Sequence, residues 1–176
     1  MKLILFALAA FANAEVLDSA AGGFTVKTTL NIKAAPDDVY RKLVHDIGDW
    51  WNSAHTFSGD AHNLRIEDRP GGCLCEKLPN NGFVHHLEVI YAAPAKRIVF
   101  SGALGPLQNM AATGSMQIQF TPADGSTKLD VTYAVVGYLA KGMNTWAAPV
   151  DMVLAEQFTR FKNYVETGNA APAASK

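Results

Sequence analysis

Cysteine is scarce in this 176-residue chain: Cys73 and Cys75 are the two it has. So low a count excludes a small disulfide-stapled scaffold. A single Cys-x-Cys without a second Cys/His cluster at finger spacing also argues against structural zinc. On an extended strand the two side chains point the same way at nearly the upper limit of disulfide Cα spacing, so they are expected not to bridge each other. An excess of one charge is lacking too. Fifteen basic residues face sixteen acidic ones, a formal net charge of −1, which makes nucleic acid and anionic membrane surfaces poor main partners. No apolar run is long enough to span a bilayer. Nucleophile-elbow, phosphate-loop and dinucleotide patterns are missing as well. Gly102-Ala103-Leu104-Gly105 lacks both the further glycine and the helix that a dinucleotide loop needs, and no cofactor or metal is expected.

What is present begins with a processing signal. Lys2 supplies a positive end, Leu3 to Phe11 an apolar stretch, and Ala12-Asn13-Ala14 a small-x-small cleavage site. Residues 1–14 are therefore expected to be a signal peptide, with a periplasmic or secreted product of 162 residues beginning at Glu15. A chain of that size makes one domain, and 49% apolar residues suit a globular core. Residues 15–23 read as a flexible leader, 24–167 as the domain, and 168–176 as a disordered tail.

Within the domain, the last helix is the dominant element. Between Trp146 and Glu166, the residues Val150, Val153, Leu154, Phe158, Phe161 and Val165 recur at steps of three and four and form one stripe. Pro149 suits its first turn, Thr145 or Asn144 can cap it, and Gly168 ends it. Almost everything earlier reads as strand. Phe24 to Lys33 alternates apolar and polar residues, as a half-buried antiparallel strand does. Pro36 opens a short helix with Val39, Leu43 and Ile47 on its buried side, and Asp49-Trp50-Trp51-Asn52 begins a second, shorter one. Six strands follow, at 63–68, 72–78, 83–91, 96–101, 114–121 and 127–138. Pro79-Asn80-Asn81-Gly82 and Ala123-Asp124-Gly125-Ser126 are turn signals between them.

Strand, two small helices, six strands and a long helix is an order that resembles the SRPBCC, or START-like, superfamily. The residues carrying the resemblance are Ala35-Pro36-Asp37-Asp38-Val39-Tyr40, Asp49-Trp50-Trp51, Pro70-Gly71-Gly72 through Glu76, Ala103 to Leu107, Gly137-Tyr138 and Pro149-Val150-Asp151. It is nearest to bacterial polyketide-cyclase-like and heat-shock-ATPase-activator-like domains. The resemblance implies an α+β helix-grip fold of the birch-pollen-allergen type. In it a curved seven-stranded antiparallel sheet wraps the C-terminal helix, two short helices lie between the first and second strands, and a cavity separates sheet from helix. The linings expected are Trp50, Trp51, Leu64, Leu87, Val89, Met116, Ile118, Tyr133, Val153, Leu154 and Phe158. The same residues would equally suit a filled core.

The hairpin of Gly72–Leu78 with Phe83–Tyr91 carries the chemistry. A turn of two or four residues without a bulge puts Leu74, Glu76 and Leu78 on one face with Phe83, His85, Leu87 and Val89. Glu76 and His85 should then point inward as a carboxylate–imidazole pair able to orient a ligand hydroxyl or serve as acid and base. Cys73, Cys75 and His86 should face outward with reactive thiols. His55, Asp60 and His62 form a second polar cluster, with ligand types zinc accepts but no second shell. The apolar loop from Gly102 to Thr113 is either a lid or a segment tucked against the helix end. The expected function is binding of a small hydrophobic or amphipathic, lipid-like or polyketide-like molecule. A cyclase- or hydrolase-type enzyme using Glu76 and His85 is the alternative, and a protein-interaction module the third reading. The partners expected are that ligand and, at most, a second copy in a weak dimer; nucleic acid and a membrane span are not.

Overall fold

A computed structural model describes residues 13–171. Its elements are β1 (Asn13–Ala20), β2 (Gly23–Ile32), α1 (Pro36–His45), α2 (Ile47–Trp50), β3 (Leu64–Ile66), β4 (Cys73–Lys77), β5 (Phe83–Ala93), β6 (Arg97–Ser101), β7 (Ala111–Ala123), β8 (Ser126–Tyr138) and α3 (Ala147–Thr167). The eight strands form one antiparallel sheet in the order β1-β2-β8-β7-β6-β5-β4-β3. The signal-peptide assignment falls largely on residues 1–12, outside the described residues.

The sheet therefore has eight strands rather than seven, and the additional one is β1. Residues 15–20 are not a flexible leader: they pair with β2 from Asn13↔Thr29 to Ala20↔Gly23, across a two-residue turn at Ala21-Gly22. Pairing supplies hydrogen bonds for a backbone edge of β2 that would otherwise be open. The alternation that marks a strand in sequence is weak here because neither face of β1 is buried; Val16 and Leu17 are exposed. At the other terminus, Gly168 adopts φ 78° and its N–H donates to the Tyr164 carbonyl, closing the helix. Residues 168–171 remain ordered, with Ala170 buried, so the start of the expected disordered tail packs on the core.

α3 lies against the sheet through Leu154, Phe158, Phe161 and Val165, all buried, whereas Val150 and Val153 are only half-buried. Trp146 occupies the N-cap position without a side-chain cap, because the Thr145 hydroxyl donates to the Gly142 carbonyl instead. The short helices pack on the same core. Val39, Leu43, Ile47 and Trp50 are buried, and the Trp50 ring centroid lies 4.9 Å from Phe161 and 6.0 Å from Phe158.

The β4–β5 hairpin departs from the expected register. Lys77 pairs with Phe83, so Leu78 to Gly82 make a loop of odd length, with Asn80 and Asn81 at φ 58° and 60°. Cys75 then faces His85, Leu74 faces Leu87, and His86 is left over in a β-bulge. A bulge inserts one residue and moves every later side chain of its strand to the other face.

Candidate functional site

A cavity of about 250 Å³ opens where the first turns of α3, the segment 51–57, strands β3 and β4, and the loop 104–107 meet. Its walls are mainly apolar: Leu64, Leu74, Leu104, Leu107, Val150, Val153 and Leu154, with Trp51 and Trp146. Of the linings expected from sequence, Trp51, Leu64, Tyr133, Val153 and Leu154 border it. Trp50, Leu87, Met116, Ile118 and Phe158 lie deeper, around a separate void of about 20 Å³, and are packed as core. Val89 borders neither space and is buried in the core. The loop 104–107, part of the 102–113 stretch expected as a lid or a segment tucked against the helix end, lines the cavity, whereas the largely exposed segment 54–57 was missed as a wall. Their apolar content was visible, but nothing local said which element they would cover.

Tertiary hydrogen bonds hold these walls. The Tyr133 hydroxyl donates to the Gly102 carbonyl at 3.0 Å and accepts from the Leu104 N–H at 2.9 Å. Burial pushes this hydroxyl up to about 12, so it stays protonated and keeps both bonds. With Leu107 buried and Gln108 donating to the His85 and His86 carbonyls, the 102–110 segment is a docked wall on the sheet. The opposite wall is tied to α3. The Asn52 N–H donates to the Gln157 side chain at 2.7 Å, and His55 meets Glu156 at 3.2 Å.

Glu76 points inward, is fully buried, and accepts from three donors: the Phe57 N–H at 3.1 Å, the Ser58 N–H, and His86 Nε2 at 3.0 Å. Burial alone would raise its carboxyl, but the donors from Ser58, Phe57 and His86 outweigh that and hold it below its ordinary range. His86, buried and stacked on Phe57 at 5.8 Å, is lowered chiefly by burial, against the opposing pull of Glu76. The imidazole is therefore neutral at neutral pH. An ionised carboxylate accepts only, so the ring proton sits on Nε2 and Nδ1 is left as an acceptor. That Nδ1 is buried and has no hydrogen-bond partner.

The proposed Glu76–His85 pair is thus corrected to Glu76–His86. His85 is exposed and stands opposite Cys75, on the other face of the hairpin. The odd loop keeps Glu76 inward, and the bulge brings His86 beside it. Two adjacent histidines gave no local sign of which would turn in; the Asn-Asn pair, tolerant of positive φ, was the available hint of a longer loop.

The cysteines are corrected as well. Cys73 and Cys75 form a disulfide, with Cα atoms 5.4 Å apart and both residues buried. Their Cα atoms are closer than the extended two-residue spacing assumed from sequence and lie within the usual bridging range. They lie outside the main core cluster and do not border the cavity. His55, Asp60 and His62 do not converge on one point: His55 turns to Glu156, while His62 pairs with Asp60 at 2.9 Å and Asp49 at 3.7 Å.

No known protein family matches the sequence, and no curated protein matches it either. Solved structures do resemble the fold. EF2215 of Enterococcus faecalis, a conserved protein of unknown function, superposes with a TM-score of 0.63 at 16% identity, over 94% of this chain and 82% of that one. The Aha1 dimer of Colwellia psychrerythraea gives 0.59 at 16% identity over 82% and 97%. DynU16, from the dynemicin biosynthetic locus, gives 0.57 at 16% identity over 83% of this chain and 48% of that one. The likeness establishes a helix-grip arrangement, an open antiparallel sheet carrying a long C-terminal helix. At these identities it speaks for the fold alone.

Proposed function

We propose that this chain is a START-like domain that binds a small amphipathic molecule in the cavity between sheet and C-terminal helix. The observation that carries this is the pairing of apolar walls with one buried, unpartnered acceptor, His86 Nδ1. An orphan acceptor in an apolar site costs free energy unless something donates to it. A ligand with an apolar body and one hydroxyl or phenol meets both requirements. At about 250 Å³ the space is just under the usual range of small-molecule pockets, roughly 300–1,000 Å³, which favours a one- or two-ring compound or a short chain. Among the described residues, no helix is long and apolar enough to cross a membrane.

The test uses the full chain and an anilinonaphthalene sulfonate probe, read by energy transfer from Trp51 and Trp146. Val153→Trp fills the cavity from α3 and is expected to weaken probe binding at least tenfold. Unchanged binding in a folded Val153→Trp protein would place the probe elsewhere and remove the reading. Native mass spectrometry of protein from its source should show a co-purifying mass that this variant lacks.

A second reading draws on the same dyad. Glu76 orients His86 as a carboxylate orients a general base, and conversion of the bound compound by wild type but not by His86→Phe would distinguish an enzyme from a binder. Export is supported by the charge, apolar run and small-residue site at the N-terminus. N-terminal sequencing of the exported protein should begin at Glu15, leaving β1 nearly whole; recovery of only the full-length chain from the cytosol would refute it.

A further inference from the structure

We propose that, once its disulfide is opened, the Cys73–Cys75 pair and the His85 imidazole form a three-donor site for monovalent copper. Among the described residues, these three bring one ligand atom each within 4.8 Å of one another. The odd-length loop sets Cys75 directly opposite His85, just before the bulge, and the two cysteines sit with Cα atoms 5.4 Å apart. Gln108 holds the His85 carbonyl, which anchors the strand at that point. Two sulfurs and a nitrogen on one ion stand roughly 4 Å apart, given metal–ligand bonds of about 2.0–2.3 Å, so the donors need only a modest opening of the sulfur pair.

The chemistry of the donors selects the ion. Thiolates favour soft cations, and imidazole accepts copper as well as zinc. Structural zinc takes four ligands in a tetrahedron, and no fourth cysteine, histidine or carboxylate joins this group among the described residues. Glu88, opposite Cys73, is the nearest carboxylate in register and lies outside it. Monovalent copper accepts three donors. The buried sulfurs would shield the ion while the exposed His85 leaves one side open for its arrival and departure.

The disulfide is the closed form of the site. Opening takes two electrons and two protons. A dithiol supplies both and becomes its own disulfide, whereas a phosphine supplies the electrons and a water molecule the two protons and the oxygen of the phosphine oxide. In either case the S–S bond breaks and two thiols form. Copper(I) then displaces the two thiol protons. The site is separate from the cavity and does not depend on the ligand-binding reading.

The full chain is reduced anaerobically with a phosphine, freed of reductant, and titrated with copper(I) against bicinchoninate. Two thiols per chain should appear on reduction, and the reduced protein should then take up one copper(I) per chain while the disulfide form takes up none. His85→Ala is expected to weaken the affinity at least tenfold. Equal uptake by the two redox forms, no uptake by the reduced form, or a His85→Ala protein with unchanged affinity would each overturn the assignment. So would one tightly held zinc(II) that copper(I) fails to displace. Cys73→Ser with Cys75→Ser should bind no copper. If that variant does not fold, the reoxidised wild type serves as the control with both sulfurs blocked.

Discussion

Replacing Phe161 with alanine is expected to cost about 3–5 kcal/mol, the range for removing a fully buried aromatic side chain. Its ring has no exposure and meets Trp50 at 4.9 Å and Phe158 at 6.5 Å, where α3 presses on α2. The two rings beside it, Trp50 and Phe158, are themselves buried in the core. Such a loss is a large share of the total stability of an ordinary domain, about 5–15 kcal/mol. Phe158→Ala should cost less, since Phe158 already borders the small deeper void and has fewer contacts to lose. Urea denaturation followed by tryptophan fluorescence measures both. A lower midpoint at constant slope is the expected signature, and a loss below about 1 kcal/mol for Phe161→Ala would contradict the role of the helix stripe.

Glu76→Gln is the second large effect, about 1–3 kcal/mol, because it leaves a buried donor without the charged acceptor it now meets. The Gln side chain keeps one acceptor oxygen and presents an NH2 where the carboxylate received donors. One of the Phe57 N–H, Ser58 N–H and His86 Nε2–H groups must then go unpaired. Segment 51–58 should loosen, and the cavity wall with it, so probe binding should fall together with stability.

The pH dependence follows from the same groups. His86 is lowered from its ordinary 6.5 in the fold, so the unfolded chain binds that proton first and stability begins to fall as pH drops below 6.5. Glu76 is lowered from 4.5. Its contribution is complete above 4.5 and is lost as pH falls through its lower folded value. The wild type should therefore lose stability in two overlapping acid steps, and Glu76→Gln should lack the lower one. Denaturation midpoints between pH 7 and pH 3 test this; an identical acid limb in the two proteins would mean that Glu76 is not ionised in the fold.

Much of the fold was legible before any coordinates because its signals are local. The stripe on α3, the alternation in β2, β7 and β8, the proline opening α1 and the glycine closing α3 are each written within a few residues. Each records which side of one element must leave water. The inward face of Glu76 was read correctly for the same reason, since Leu74 and Glu76 are two apart on one strand. The flexible-leader reading of β1 failed because an edge strand with two wet faces carries no alternation to read.

The amino-acid sequence by itself determined an α+β chain with one long amphipathic helix, a mostly antiparallel sheet, and a carboxylate aimed at the apolar side of a hairpin. Tertiary structure decided which imidazole joins that carboxylate, whether the two cysteines meet, and which apolar residues border space instead of one another. The reason is that these depend on pairing between strands and on how loops close over the core. A single bulged residue, His86, reverses the facing of everything beyond it at a cost that no local propensity registers. Val153 and Phe158 belong to one stripe of one helix, yet the first borders the cavity and the second lies in the core.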